Sequence, residues 1–130
     1  MSSPSAPITI GLLFSQTGLT ALVERTQRAA SLVAIDEING NGGLLGRELA
    51  ALAPDPESDP RRYREEAERL MAAGVETVVG CYMSSTRRSV LPVIERHDAL
   101  LFYPTLYEGF EFSRNCVYSG AAPNQNSVWL

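Results

Sequence analysis

The feature that most constrains this chain is a hydrophobic period that switches repeatedly between strand and helix. Residues 8–14, Ile-Thr-Ile-Gly-Leu-Leu-Phe, are apolar almost without alternation, the pattern of a strand covered on both faces. Ser15-Gln16-Thr17-Gly18 interrupts it. Residues 20–39 then take helical spacing, with Ala30, Ala34 and Ile38 in line and Val33 and Ile35 beside them. Gly40 to Gly43 stops that helix, because Gly and Asn accept the left-handed backbone that follows a last turn. Residues 47–53 read as a second strand. Pro54 to Pro60 forms a turn-rich connector in which Ser58 or Asp59 caps a second helix and Pro60 fits its first turn. That helix, residues 61–73, spaces Tyr63, Ala67, Leu70 and Met71 along one face and closes at Gly74. Residues 75–80 form a third strand. Ser84 or Ser85 is expected to cap a third helix reaching His97, kinked or split at Pro92. Residues 99–103 and 116–118 complete the strands. Strands alternating with helices imply an α/β fold, a three-layer doubly wound parallel sheet with right-handed crossovers.

Composition narrows the chemistry. The 130 residues suffice for one domain. All 11 basic residues are arginines, which excludes a phosphate-loop or Schiff-base lysine and the lysine of a receiver domain. A single histidine, His97, excludes a site built from several imidazoles. A net charge of −4 argues against nucleic acid as the main partner. Cys81 and Cys116, 35 positions apart, match no redox or zinc spacing and read as buried small hydrophobes. The first residues carry no basic n-region, and no run approaches a membrane span, so the expected compartment is the cytoplasm.

In an open parallel sheet, ligands bind beyond the carboxyl ends of the strands. Three loops leave those ends: Ser15–Gly18, Gly80–Ser85 and Tyr103–Tyr107. They offer hydroxyls and aromatic rings, with Arg87 and Glu108 only flanking them, and read as an uncharged cup for a small neutral molecule. Ser15 and Thr17 are expected to satisfy turn backbone. A Cys81–His97 dyad is ruled out, since the third helix separates them by roughly 15–20 Å. The run Arg61 to Arg69 is a solvated face, with Arg61–Glu65 and Arg62–Glu66 as ion-pair options. No catalytic constellation, metal set or cofactor motif emerges, so a non-catalytic binding module is expected. A flavodoxin-like flavin protein is the other class of the same size.

Four segments carry a resemblance: Ile10 to Gly18, Asp59 to Tyr63, Val79-Gly-Cys-Tyr-Met-Ser84, and Tyr103-Pro-Thr-Leu-Tyr-Glu-Gly-Phe-Glu111. Together they resemble the amino-terminal lobe of the AmiC-like amide sensors, cytoplasmic negative regulators of aliphatic amidase expression within the type I periplasmic-binding-protein fold. Residues 1–7 are expected to form a disordered tail; the resemblance implies an incomplete amino-terminal ligand-binding lobe over 8–120 and, over 121–130, a hinge approach at which the chain is expected to be truncated. It implies ligand contacts from Tyr82, Ser84, Tyr103 and Thr105, with Pro104 and Met83 shaping the cleft. It further implies a small aliphatic amide or urea as ligand, an antiterminator protein as partner, and a second lobe to close the cleft. The wider family adds an alternative: the substrate-binding component of a urea, short-chain amide or branched-chain amino-acid ABC transporter.

Overall fold

The computed structural model describes residues 6–126, so expectations for residues 1–5 and 127–130 lie outside the described residues. Nine elements follow in order: β1 (Ile8–Leu13), α1 (Ala21–Gly40), β2 (Leu49–Leu52), α2 (Pro60–Ala72), β3 (Thr77–Gly80), α3 (Ser84–Arg96), β4 (Leu100–Tyr103), β5 (Cys116–Tyr118) and α4 (Pro123–Asn126). The sheet order is β2-β1-β3-β4-β5, and every pairing is parallel. Strand order therefore reverses between β1 and β3, which puts the crevice of a doubly wound sheet at their carboxyl ends.

The unbroken apolar run of β1 serves both faces at once. Leu12 and Phe14 point into a cluster with Ile35 of α1 and Leu49 of β2. Leu13, between them, points into a larger cluster under α2 and α3 that includes Tyr63, Leu70, Val78, Val90, Ile94 and Leu101. Leu12, Leu13 and Phe14 are essentially inaccessible, each contributing about 2 kcal/mol by leaving water. The three-layer expectation holds, with α1 on one face and α2 with α3 on the other.

Three local expectations change. First, α1 turns a different face inward. Ala21, Glu24 and Ile35 are buried, whereas Ala30 and Ala34 are exposed, Val33 is 57% exposed and Ile38 is 38% exposed. Apolar residues lie nearly all round this helix, so period alone does not choose a face. The choice falls to Glu24, whose carboxyl group receives buried donors from the loop after β1 and from α2.

Second, Pro92 does not split α3, which runs unbroken from Ser84 to Arg96. Pro92 sits on the exposed side of the helix, so the carbonyl that loses its donor there can bond to water. Third, Met83 occupies the N-cap position of α3 with extended backbone and no capping bond; neither Ser84 nor Ser85 caps it. Asp59 does cap α2, accepting the Arg61 N–H at 2.8 Å ahead of Pro60. The helix arginines pair differently from the spacing options: Arg62 reaches Glu57, Arg69 reaches Glu66 and Arg96 reaches Glu68.

Candidate functional site

The strand β3 ends hard against β1. A Cβ at Gly80 would lie 2.3 Å from the Leu13 carbonyl oxygen, so only glycine fits. Cys81 then adopts a left-handed φ of 68° and donates its N–H to the same carbonyl at 2.9 Å. This strained turn aims residues 82–84 along the sheet edge. Burial pushes the Cys81 thiol well above its ordinary value, and Cys116 is also buried and free, so neither behaves as a surface nucleophile.

The loops after β3 and β4 form one unit. Tyr103 is 1% exposed and donates its hydroxyl to the Tyr82 carbonyl at 2.9 Å, while Thr105 Oγ1 lies 3.4 Å from the Cys81 carbonyl. Gln27 of α1 reaches the Thr105 hydroxyl at 3.4 Å. Chain leaving β5 crosses directly over this loop: a Cβ at Gly120 would sit 1.9 Å from the Thr105 carbonyl oxygen. Tyr82, Met83, Ser84, Pro104 and Thr105 are all half-buried along this edge, and Tyr103 supports them from beneath with its phenol already engaged.

Behind that edge stands a charged assembly. Arg87, at the end of the first turn of α3, has a fully buried side chain. Its Nε donates to Glu111 at 2.7 Å and one Nη to Glu108 at 2.8 Å. The guanidinium carbon lies 4.7 Å from the Tyr103 ring centroid, 5.5 Å from that of Tyr107 and 5.8 Å from that of Tyr118, while Tyr107 and Tyr118 stack at 4.1 Å. Burial disfavours the Arg87 charge, but hydrogen bonds to Glu108 and Glu111 outweigh it and hold the group protonated. In return the Arg87 hydrogen bond draws the Glu108 carboxyl down to about 2. The Ser84 hydroxyl donates to this same carboxylate at 2.9 Å.

The uncharged cup is thus corrected. Glu108 lies on Ser84 itself, because folding the 104–111 segment back over α3 brings distant charges to the rim. The sequence signal was the set Arg87, Glu108 and Glu111 near three tyrosines, which only the tertiary fold unites.

A second cluster anchors the first loop. Glu24 is fully buried and accepts the Ser15 N–H at 2.7 Å together with the hydroxyls of Thr20 and Tyr63. The Ser15 hydroxyl bonds to the Tyr63 phenol at 2.9 Å and accepts the Ser58 N–H at 2.9 Å. At the exposed end, Asp55 accepts from the Gln16 N–H at 2.8 Å and the Thr17 hydroxyl at 2.8 Å. Burial opposes the Asp55 charge, yet the N–H groups of Gln16 and Glu57 and the Thr17 hydroxyl hold its carboxyl below the usual range. Ser15 and Thr17 are consumed by this structure, as the turn reading expects.

Among the described residues, no group of three or more His, Cys, Asp or Glu is placed to hold a metal ion, and no helix is long and apolar enough to cross a membrane. His97 ends α3 with Nε2 3.6 Å from Glu68, at the opposite end of the helix from Cys81.

Comparison with known proteins identifies the lineage. A family model described as a periplasmic binding protein domain matches residues 8–130. The Leu/Ile/Val-binding protein BraC3 of Rhizobium johnstonii is 31% identical over 77% of this chain and 27% of its own length. A leucine-, isoleucine-, valine-, threonine- and alanine-binding protein of Pseudomonas aeruginosa is 33% identical over 75% of this chain and 26% of its own. The chain therefore spans about a quarter of the length of these relatives. Among solved structures, an ABC-type branched-chain amino acid transporter of Rhodopseudomonas palustris superposes with a TM-score of 0.81 at 19% identity, over 93% of this chain and 34% of that one. A branched-chain amino acid transporter substrate-binding protein of Streptococcus pneumoniae, in complex with isoleucine, gives 0.76 at 24% identity, over 79% and 30%. The architecture is the doubly wound α/β domain of the type I periplasmic-binding-protein fold, covering part of the full-length fold.

These findings overturn the resemblance to AmiC-like amide sensors, because the matching relatives are branched-chain amino-acid-binding proteins. With it fall the amide or urea ligand, the amidase-regulating role and the antiterminator partner, all of which rested on that resemblance. The cytoplasmic expectation falls as well, because the matched family is one of periplasmic binding proteins. Residues 8–130 match along almost the whole chain, and the chain belongs to the periplasmic binding protein domain family.

Proposed function

We propose that this chain supplies one wall of a solute-binding cleft in the substrate-binding component of an ABC transporter, with a branched-chain amino acid as solute. The observation that carries this reading is the 31–33% identity to binding proteins named for leucine, isoleucine and valine. The edge formed by β1, β3 and β4 supplies the chemistry. The first amides of α3 and the Ser84 hydroxyl suit the carboxylate of an amino acid, which exchanges with Glu108 for the serine proton. The Thr105 hydroxyl stands beside them as a further polar anchor. Met83, Pro104 and the Tyr82 ring supply apolar surface for an aliphatic side chain, and Tyr103 fixes the loop from beneath. A second lobe closes the cleft from the opposite side, the membrane permease of the transporter is the partner, and the working location is outside the cytoplasmic membrane.

The test is a nitrogen-15 correlation spectrum of the chain titrated with leucine to tens of millimolar, a range that reaches the weak binding of one open wall. Shifts concentrated at residues 82–85 and 104–108, and lost in Ser84→Ala, support the reading. Shifts centred elsewhere, no shifts at all, or equal shifts with lysine overturn it.

A further inference from the structure

The two oxygens of the Glu108 carboxylate have different partners. Oε1 accepts from one Arg87 Nη at 2.8 Å and lies 3.5 Å from an Arg88 Nη. Oε2 accepts the Ser84 hydroxyl at 2.9 Å, and its other contact, the second Arg87 Nη, is long at 3.4 Å. One oxygen therefore ties Glu108 to the buried cation, and the other holds the serine proton that the proposed solute carboxylate needs. Ser84 has a single hydroxyl proton to donate, so the two carboxylates exclude each other there.

Freeing Ser84 does not require breaking the charged cluster. A rotation about the Oε1 anchor releases Oε2 while the 2.8 Å bond to Arg87 remains. Rotation does not remove the charge, however. A solute carboxylate on Ser84 stands beside the Glu108 carboxylate, and like charges at that range repel. Arg87 cannot answer this, since its fully buried guanidinium is already committed to Glu108 and Glu111 and faces the rings of Tyr103, Tyr107 and Tyr118. Arg88 can. Its contacts to Glu108 at 3.5 Å and to Glu111 at 3.6 Å are both longer than a well-formed charge-assisted hydrogen bond, so it has a close pair still to make. The same rotation that frees Ser84 can bring Glu108 onto it.

We propose that Glu108 is a built-in rival of the solute carboxylate for the Ser84 hydroxyl, and that Arg88 is the positioning residue that receives Glu108 when solute arrives. The inference rests on the reading of this edge as an amino-acid site and adds what regulates it. Affinity is set by how readily one side chain of the same chain leaves Ser84, and Arg88 acts on the solute only through Glu108.

The experiment is a nitrogen-15 titration of the chain with leucine and, separately, with leucinamide, which keeps the side chain and the amino group but has no carboxylate. Circular dichroism is the folding control. Glu108→Gln removes the rival charge and is expected to bind leucine about fivefold more tightly than the wild type, with no gain for leucinamide. Arg88→Gln is expected to weaken leucine binding about threefold in the wild type and to have no effect in the Glu108→Gln background, where the charge it neutralises is gone. Leucine binding left unchanged or weakened by Glu108→Gln overturns the proposal, as does an equal gain for leucinamide, which marks a general loosening of the loop. Equal weakening by Arg88→Gln in both backgrounds overturns the role of Arg88. A wild type with no response to leucine overturns the amino-acid reading and this inference with it. The rivalry falls alone when the wild type binds leucine and Glu108→Gln binds it no better.

Discussion

The two ends of the candidate edge solve the same problem with opposite chemistry. Beside β1, one fully buried carboxyl group, Glu24, collects the Ser15 N–H and the hydroxyls of Thr20 and Tyr63, with no cation among its bonding partners. Beside β4, one fully buried cation, Arg87, is shared by two carboxylates that keep access to water, Glu108 at 41% and Glu111 at 20% side-chain exposure. The first arrangement is a closed chain of hydrogen bonds whose central members, Glu24, Ser15 and Tyr63, are all shut off from water, so it makes a rigid wall. The second is an ion cluster whose outer members can turn to solvent or to a ligand. The difference teaches where the edge can give: on the β4 side Glu108 can turn away from Ser84, the exchange that the proposed solute carboxylate needs, whereas the β1 side can only hold.

The sharpest way to break this contrast is to remove each centre in turn. Glu24→Ala strands the buried Ser15 N–H, takes the acceptor from the Thr20 and Tyr63 hydroxyls, and is expected to cost about 3–4 kcal/mol, read by urea denaturation. Arg87→Met leaves carboxylates that can rehydrate and is expected to cost about 2 kcal/mol in the same measurement. A larger loss for Arg87→Met than for Glu24→Ala reverses the assignment of rigid and adaptable ends. Tyr63→Phe, which deletes one link between Ser15 and Glu24, is expected to cost about 1–2 kcal/mol.

Acid separates the two ends further. The Glu108 carboxyl is drawn to about 2 from an ordinary 4.5, so its stabilising contribution is complete above pH 4.5 and is lost as pH falls toward 2. Thermal midpoints followed from pH 5 to pH 2.5 should therefore fall less steeply in Glu108→Gln than in the wild type. Equal slopes would show that Arg87 gains nothing from Glu108. The smallest effect is expected at Ser84: Ser84→Ala should change stability by less than about 0.5 kcal/mol, because the hydroxyl is half-buried and caps nothing.

Much of this was legible in the sequence, for identifiable reasons. The unbroken apolar run of β1 announced a strand with two covered faces. The spacing of Tyr63, Ala67, Leu70 and Met71 announced the inner face of α2, and all four are buried. The loops that end β3 and β4 were correctly brought to one edge, since parallel topology alone requires it. The ion cluster was not legible, because Arg87 stands 21 residues from Glu108 and 24 from Glu111, and no local rule joins them. The family resemblance, drawn from short loop segments such as Val79–Ser84, pointed to amide sensors, whereas the relatives matched over three quarters of the chain are branched-chain amino-acid-binding proteins.

The sequence by itself determined the order of strands and helices, the parallel sheet and the shared edge at which β1, β3 and β4 end, because hydrophobic period and crossover handedness are local and general. Only the tertiary structure decided which face of α1 turns inward and which charges stand at the edge. Both outcomes depend on buried polar groups finding partners far along the chain. Glu24 rotates a helix against its apolar pattern to meet Ser15 and Tyr63, and Arg87 draws a loop over α3 to meet Glu108 and Glu111.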